Sequence, residues 1–350
     1  MSTTIERAAT AGVDTRPRRS RLARRGLGLA VLLLVLALVA AASVTFGARH
    51  VGLTDLLAAL TGGDANIAQA AVAKRIPRTL LAAVVGAALG VAGAVMQGLT
   101  RNPLADPGIL GVTSGASLAV VSGIAFFGLS SPVGYAWVAV LGSACAAVLV
   151  YVVGSLGRGG ATPLKLTLAG AATSAAFSSL ISAVLLPRVE VMDSFRFWQI
   201  GGVGGADVGT MSLLSPFLLV GLALCLVTAG GLDALALGDD VAAGLGENVV
   251  RTRLVAALGA VLLCGAATAL AGPIGFVGLV VPHACRLVAG SAHRRLLPCS
   301  ALTGATLLIA ADVVGRVVAR PDEIDVGVVT ALIGAPVFIA IVRRQKARAL

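Results

Sequence analysis

Leu27-Gly-Leu-Ala-Val-Leu-Leu-Leu-Val-Leu-Ala-Leu-Val-Ala-Ala-Ala-Ser-Val-Thr-Phe46 runs for 20 residues without a charge, directly after Arg16, Arg18, Arg19, Arg21, Arg24 and Arg25. A bilayer core takes roughly 20 apolar helical residues to cross. A cleaved secretory signal also starts with basic residues, but its apolar part is only about 7–15 long. The run therefore reads as a retained first span. Eight more apolar stretches follow at 79–98, 109–128, 136–155, 164–187, 211–230, 253–271, 274–290 and 326–342. A further one, 298–317, is apolar until Asp312 and Arg316. Gly and Pro clusters such as Arg101-Asn102-Pro103 and Ala271-Gly272-Pro273 separate them.

The pattern predicts an all-α, polytopic membrane protein of ten spans: a basic tail over 1–26, a ten-helix domain over 27–343 and a second basic tail over 344–350. Composition agrees. The chain is 57% hydrophobic and 12% charged, whereas soluble domains carry about 25% charge. A water-soluble enzyme on a single anchor is excluded, and no stretch is long enough for a globular domain outside the membrane. The five cysteines lie in or beside apolar runs without a C-x-x-C pair, and read as buried small residues rather than as metal ligands.

The net charge of +11 would suit nucleic acid, but short loops between spans give it a simpler meaning. Basic residues concentrate on the cytoplasmic side. With ten spans and both termini inside, 19 of the 27 basic residues fall in the cytoplasm and 8 outside. Both termini are therefore expected in the cytoplasm, and no nucleic-acid partner is expected. Two segments depart from a plain bundle. The outward segment 47–78 ends in Lys74-Arg75-Ile76-Pro77-Arg78, and the cytoplasmic loop 232–252 reads as short helical pieces broken by Gly238, Gly244 and Gly246. Both face water and suit protein contacts.

The three histidines, His50, His283 and His293, have no metal-ligand spacing. Lys74, Lys165 and Lys346 are followed by Arg, Leu and Ala, so no phosphate-binding G-x-x-x-x-G-K-[ST] loop exists. An ATP-driven process would need its ATPase on another subunit. An ion gradient would instead need an ionisable group deep in the membrane. Only Asp312 qualifies, and Arg316 lies one turn on, placed to neutralise it. On 164–187, Thr167, Ser174, Ser178 and Ser182 share one helix face. That stripe lines a pathway or packs against another helix, as Gly86-x-x-x-Gly90 does.

Four stretches carry a resemblance to a known family. They are Arg75-Ile-Pro-Arg78-Thr79 with Gly93-Ala-Val-Met-Gln97 and Asn102-Pro-Leu-Ala-Asp-Pro-Gly-Ile-Leu-Gly111; Gly272-Pro-Ile-Gly-Phe-Val-Gly-Leu-Val-Val-Pro-His283 with Arg286; Leu297-Pro298 through Ala311-Asp312 and Arg316; and Gly327-Val-Val-Thr-Ala-Leu-Ile-Gly-Ala-Pro-Val-Phe338. In order and spacing they resemble the permease subunits of bacterial ABC importers for iron(III)-siderophores, haem and cobalamin.

The resemblance implies a non-catalytic permease subunit in the bacterial inner or plasma membrane that imports most often a ferric siderophore. It works by alternating access at the axis of a dimer with itself or a similar chain. Partners would be two ABC ATPase subunits holding ATP and Mg, an extracytoplasmic substrate-binding protein and membrane lipid; the chain itself would hold no cofactor or metal. Arg75, Arg78 and Arg316 would receive acidic residues of the binding protein. Leu235, Leu237, Gly238, Asp239, Asp240, Ala242, Ala243, Leu245 and Gly246 would form the coupling segment on the ATPase. Thr162 and Pro163, after Ala161, match the family's cytoplasmic gate region loosely. Asp325 stands where the family usually has Pro, and Val208 where an aromatic is common. A gradient-driven secondary transporter is the competing reading, and a non-transporting membrane scaffold a third.

Overall fold

The computed structural model describes residues 18–47, 67–157 and 162–349, and every regular element among them is helical. In chain order the helices are α1 (Arg18–Thr45), α2 (Ile67–Thr100), α3 (Val112–Phe127), α4 (Pro132–Ser155) and α5 (Pro163–Leu185). Next come α6 (Val189–Ile200), α7 (Val208–Val227) and two short helices, α8 (Ala229–Leu235) and α9 (Asp239–Gly244). The chain closes with α10 (Val249–Ala271), α11 (Val277–Ala289), α12 (His293–Val318) and α13 (Val326–Ala349).

Seven of these are long and apolar enough to cross a membrane, and α3, α11 and α13 supply shorter apolar stretches of 10–17 residues. These ten helices occupy the ten predicted stretches. Burial sorts them. The apolar window of α2 is 78% buried and that of α1 only 6%, so α2 is the central post and α1 a peripheral helix facing lipid. Helices α10, α11 and α12 pack around α2, while α3, α4 and α5 form a second group joined to it through α10.

Small residues make the central packing possible. A Cβ at Gly86 would overlap the Gly304 carbonyl, one at Gly90 the Ser300 carbonyl, and one at Gly93 the backbone of Gly278. In lipid there is no hydrophobic gain from bringing two apolar helices together, so backbone proximity and dispersion must supply the attraction. The Gly86-x-x-x-Gly90 pair is thus the face on which α2 meets α12.

Several boundaries differ from the sequence reading. Residues 67–78, expected as part of an outward loop, are the first turns of α2, so the Arg75 to Arg78 motif is helical despite Pro77. Residues 48–66 lie outside the described residues, as do 1–17 of the basic tail and Ala161 of the gate region. The coupling loop expected over 232–252 is shorter. It begins inside α8 and ends at Asn248, whose side chain caps α10 through Arg251 N. The last helix continues to Ala349 through the residues expected as a tail.

Helix α6 was not expected. Its charges mask the spacing of Val191, Phe195 and Trp198, which place one apolar edge on the bundle. Phe195 is fully buried and stacks on Trp198 at 6.0 Å between ring centroids. Among the cysteines, Cys145 is exposed on α4 rather than buried.

Candidate functional site

The contacts divide the bundle into two ends. At one, Arg101, α8, α9 and the starts of α10 and α12 come together. At the other lie Arg78, α6, the Gly201–Gly205 segment and the α12–α13 connection. This division agrees with the alternation read from the basic residues.

At the second end, α1 finishes at Thr45 with carbonyls that no helical N–H can reach. Arginines supply the missing donors. Nη1 of Arg75 donates to Val44 O at 3.2 Å and Thr45 O at 3.0 Å. Nη1 of Arg316 donates to Ser43 O and Phe46 O, and its Nη2 to Ser43 Oγ at 2.7 Å. Arg320 closes the set on Gly47 O at 2.6 Å. Positive charge at a helix C-terminus also complements the helix dipole.

Asp312 balances this cluster from below. It is wholly buried, 2.7 Å from Nη2 of Arg78 on α2 and 3.0 Å from Nη2 of Arg316 on its own helix. The predicted pairing of Asp312 with Arg316 is therefore present. A second partner, Arg78, joins it, and Arg78 also donates to Glu323 at 2.6 Å. A carboxylate held by two guanidiniums is not the free ionisable group that a gradient-driven carrier needs.

Of Arg75, Arg78 and Arg316, expected to receive acidic residues of a binding protein, two are buried within this chain. Arg75 is 7% exposed and Arg316 2%, because their hydrogen bonds to the end of α1 draw both inward. Arg78 keeps a partly exposed edge, on which Glu323 sits.

At the first end, the predicted coupling segment separates into two kinds of residue. Leu235 and Ala242 are buried and anchor the segment to the bundle. Leu237, Val241 and Leu245 are 63%, 50% and 66% exposed, an apolar face that the described residues leave largely open. Asp239 is tied down by Arg101 and by Arg253, the latter at 2.9 Å. Asp240, Ala243 and Gly246 are exposed, and Gly238 is half-buried. Gly238 and Gly246 adopt φ of 115° and 85°, a region that non-glycine residues avoid. A Cβ at Gly246 would meet open space, so a side chain there would project outward.

Two further contacts at this end escaped the sequence reading. Oδ1 of Asp233 on α8 accepts from His293 N and lies 2.7 Å from His293 Nδ1, at the start of α12. Arg286 donates to Gln97, whose Nε2 donates to the Leu279 carbonyl at 3.3 Å. The only sequence signal was that each polar residue stands next to an apolar run.

On α5, Thr162 caps the helix by accepting from Lys165 N; Pro163 follows as its first residue. Thr167 donates to Leu164 O, Ser178 to Ser174 O and Ser182 to Ser178 O. These three hydroxyls are thus satisfied by their own helix. Ser178 and Ser182 are exposed, Thr167 and Ser174 half-buried, so packing within this chain does not explain the stripe.

The FecCD transport family description matches residues 32–344. The chain is 44% identical to the ferric enterobactin transport system permease protein FepD of Escherichia coli (strain K12), over 92% of this chain and 96% of that protein. It is 42% identical to the probable siderophore transport system permease protein YfiZ of Bacillus subtilis (strain 168), over 90% and 95%. Among solved structures, an inward-facing putative metal-chelate type ABC transporter superposes with a TM-score of 0.80 at 30% identity, covering 91% of this chain and 99% of that one.

Proposed function

Because this chain belongs to the FecCD transport family, we propose that it is the membrane permease subunit of an ATP-driven importer whose cargo is a ferric siderophore. The relatives are named for siderophore, iron-citrate and hemin transport, which supports an iron chelate. The observation that carries the mechanism is the exposed row Leu237, Val241 and Leu245 on an anchored segment. An apolar face at the water boundary, held rigidly by Asp239, Leu235 and Ala242, suits a soluble partner that pushes on it. That partner is an ATPase pair, where ATP and Mg reside.

The stripe Thr167, Ser174, Ser178 and Ser182 then faces a pathway shared with a second permease copy or a similar chain, in the bacterial inner or plasma membrane. A loaded binding protein docks at the opposite end, where Arg78 and Glu323 offer charge beside the exposed Lys74 and Asp322. Arg75 and Arg316 act there by holding the end of α1 in place. Basic residues spread as described favour cytoplasmic termini.

Reconstitution tests this reading. Liposomes holding this chain with its ATPase should take up ferric siderophore only with the binding protein outside and ATP inside. Uptake on a proton gradient without the ATPase would overturn it.

A further inference from the structure

A groove of about 300 Å³ opens between α1, α7 and the start of α12, apart from every site above. Leu29 and Leu33 of α1, Leu222 and Leu226 of α7, and Leu297 and Leu302 of α12 line it, with Pro298 and Ala301 as its floor. Every lining residue is apolar. The wall made by α1 belongs to the peripheral helix, 6% buried, so the groove opens toward the surrounding lipid.

One end of the groove is different. Arg294 precedes Leu297, Pro298 and Ala301 by three, four and seven residues, the spacing of a single helix face. Its guanidinium lies against the α7–α8 corner: a Cβ at Gly230 would stand 3.3 Å from Nη2. Gly230 follows Leu226, a groove residue, by one turn. Arg294 thus lies at the end of the groove formed by the first turn of α12, next to the α7–α8 corner; Arg295 follows it, with Nη2 3.7 Å from a Cβ built at Gly290, just before α12. Both are exposed, and neither has a carboxylate partner among the described residues.

We infer that this groove binds an anionic phospholipid, with an acyl chain along the leucines and the phosphate at Arg294 and Arg295. An apolar channel whose α12 end carries two exposed guanidiniums, without a carboxylate partner among the described residues, matches an amphiphile with one apolar and one anionic end. Basic pockets between membrane helices recognise lipid headgroups in this way. A helix from another membrane protein would fill the apolar part and leave the guanidiniums uncompensated. The inference needs only a membrane-embedded chain and does not depend on the transported cargo.

Native mass spectrometry of the full chain, released from mixed phosphatidylglycerol and phosphatidylcholine vesicles, tests it. The wild type should retain one phosphatidylglycerol in at least about tenfold preference, given about 1 kcal/mol per basic residue near an anionic surface. The added mass separates lipid from free phosphate. R294Q/R295Q, two surface changes, should retain both lipids equally, and A301W should lose both while R294Q/R295Q confirms that the chain folds. Equal retention by the wild type, unchanged preference in R294Q/R295Q, or a copurifying polypeptide that crosslinks to the A301C variant would each overturn the inference.

Discussion

Asp312 receives both Nε and Nη2 of Arg78, at 2.9 and 2.7 Å, although 234 residues separate them. One buried carboxylate thus joins the central helix α2 to α12 and, through Arg316, to the end of α1. Removing one member of a buried ion pair leaves the other charge uncompensated, at about 3–5 kcal/mol. Asp312→Ala should therefore lower the unfolding temperature of the detergent-solubilised protein sharply. Glu323→Gln, at the exposed edge of Arg78, should cost only about 0–1 kcal/mol of stability. Comparable shifts for the two would refute the assignment of Asp312 as the centre of the cluster.

The close approach of α2 and α12 at Gly86 and Gly304 makes a second outcome specific. Gly86→Val would drive two methyl groups into the Gly304 backbone, and overpacking of this kind costs about 1–3 kcal/mol or more. We expect little monodisperse protein by fluorescence-detected size exclusion. Gly28→Val, at a position with no atom nearby, should behave as the wild type. A stable Gly86→Val would show that the two helices are held by other contacts.

Leu237, Val241 and Leu245 each leave half or more of their surface exposed, so replacing all three by Ser should change thermal stability far less than loss of a buried anchor. Copurification of the ATPase and transport should fall together. Leu235→Ala, by contrast, removes a buried anchor and should cost about 2–5 kcal/mol of stability. Retained ATPase binding in the triple variant would place the coupling surface elsewhere.

Asp233 fixes the first turn of α12 through His293 N and Nδ1. Asp233→Ala leaves those buried donors without an acceptor, at about 1–3 kcal/mol. Hydrogen exchange should accelerate at the amide of His293 and its neighbours while the middle of α12 stays protected. Unchanged exchange there would show that α12 starts without this cap.

Burial pushes the carboxyl of Asp325 above its ordinary pKa, against a smaller opposing pull from the positive charge of Arg78. An acid whose folded pKa is raised binds its proton more tightly in the folded state. Its penalty is therefore absent below the unfolded pKa and develops as pH rises from there through the folded value. Asp325→Asn should stabilise the protein at pH 7 and have little effect well below pH 4, roughly the unperturbed aspartate pKa. Equal stability of the two forms at both pH values would argue that Asp325 is solvated like a surface acid.

Much of this architecture was legible without coordinates. The ten apolar runs mark ten helices because transfer into lipid sums over local side chains and the backbone must satisfy its own hydrogen bonds there. Gly86-x-x-x-Gly90 was readable for the same reason, since close packing depends on residues a few positions apart, whereas the cap that Thr162 makes on α5 was not read from the sequence. Helix α6 was missed because its charges fall on the outer side of a short amphipathic helix.

The arginines mark where sequence reading stops. Their presence, their order and the Asp312–Arg316 pair were evident, since one helical turn separates the last two. That Arg75, Arg316 and Arg320 turn inward to the end of α1, and that Arg78 crosses to Asp312, was decided by tertiary structure alone. A guanidinium goes where unsatisfied carbonyls and carboxylates are brought within 3 Å, and only the packing of α1, α2 and α12 creates that place. The same holds for Leu235 and Leu237. Two residues apart on one segment, one is an anchor and the other an open contact because the bundle covers only one side of the chain.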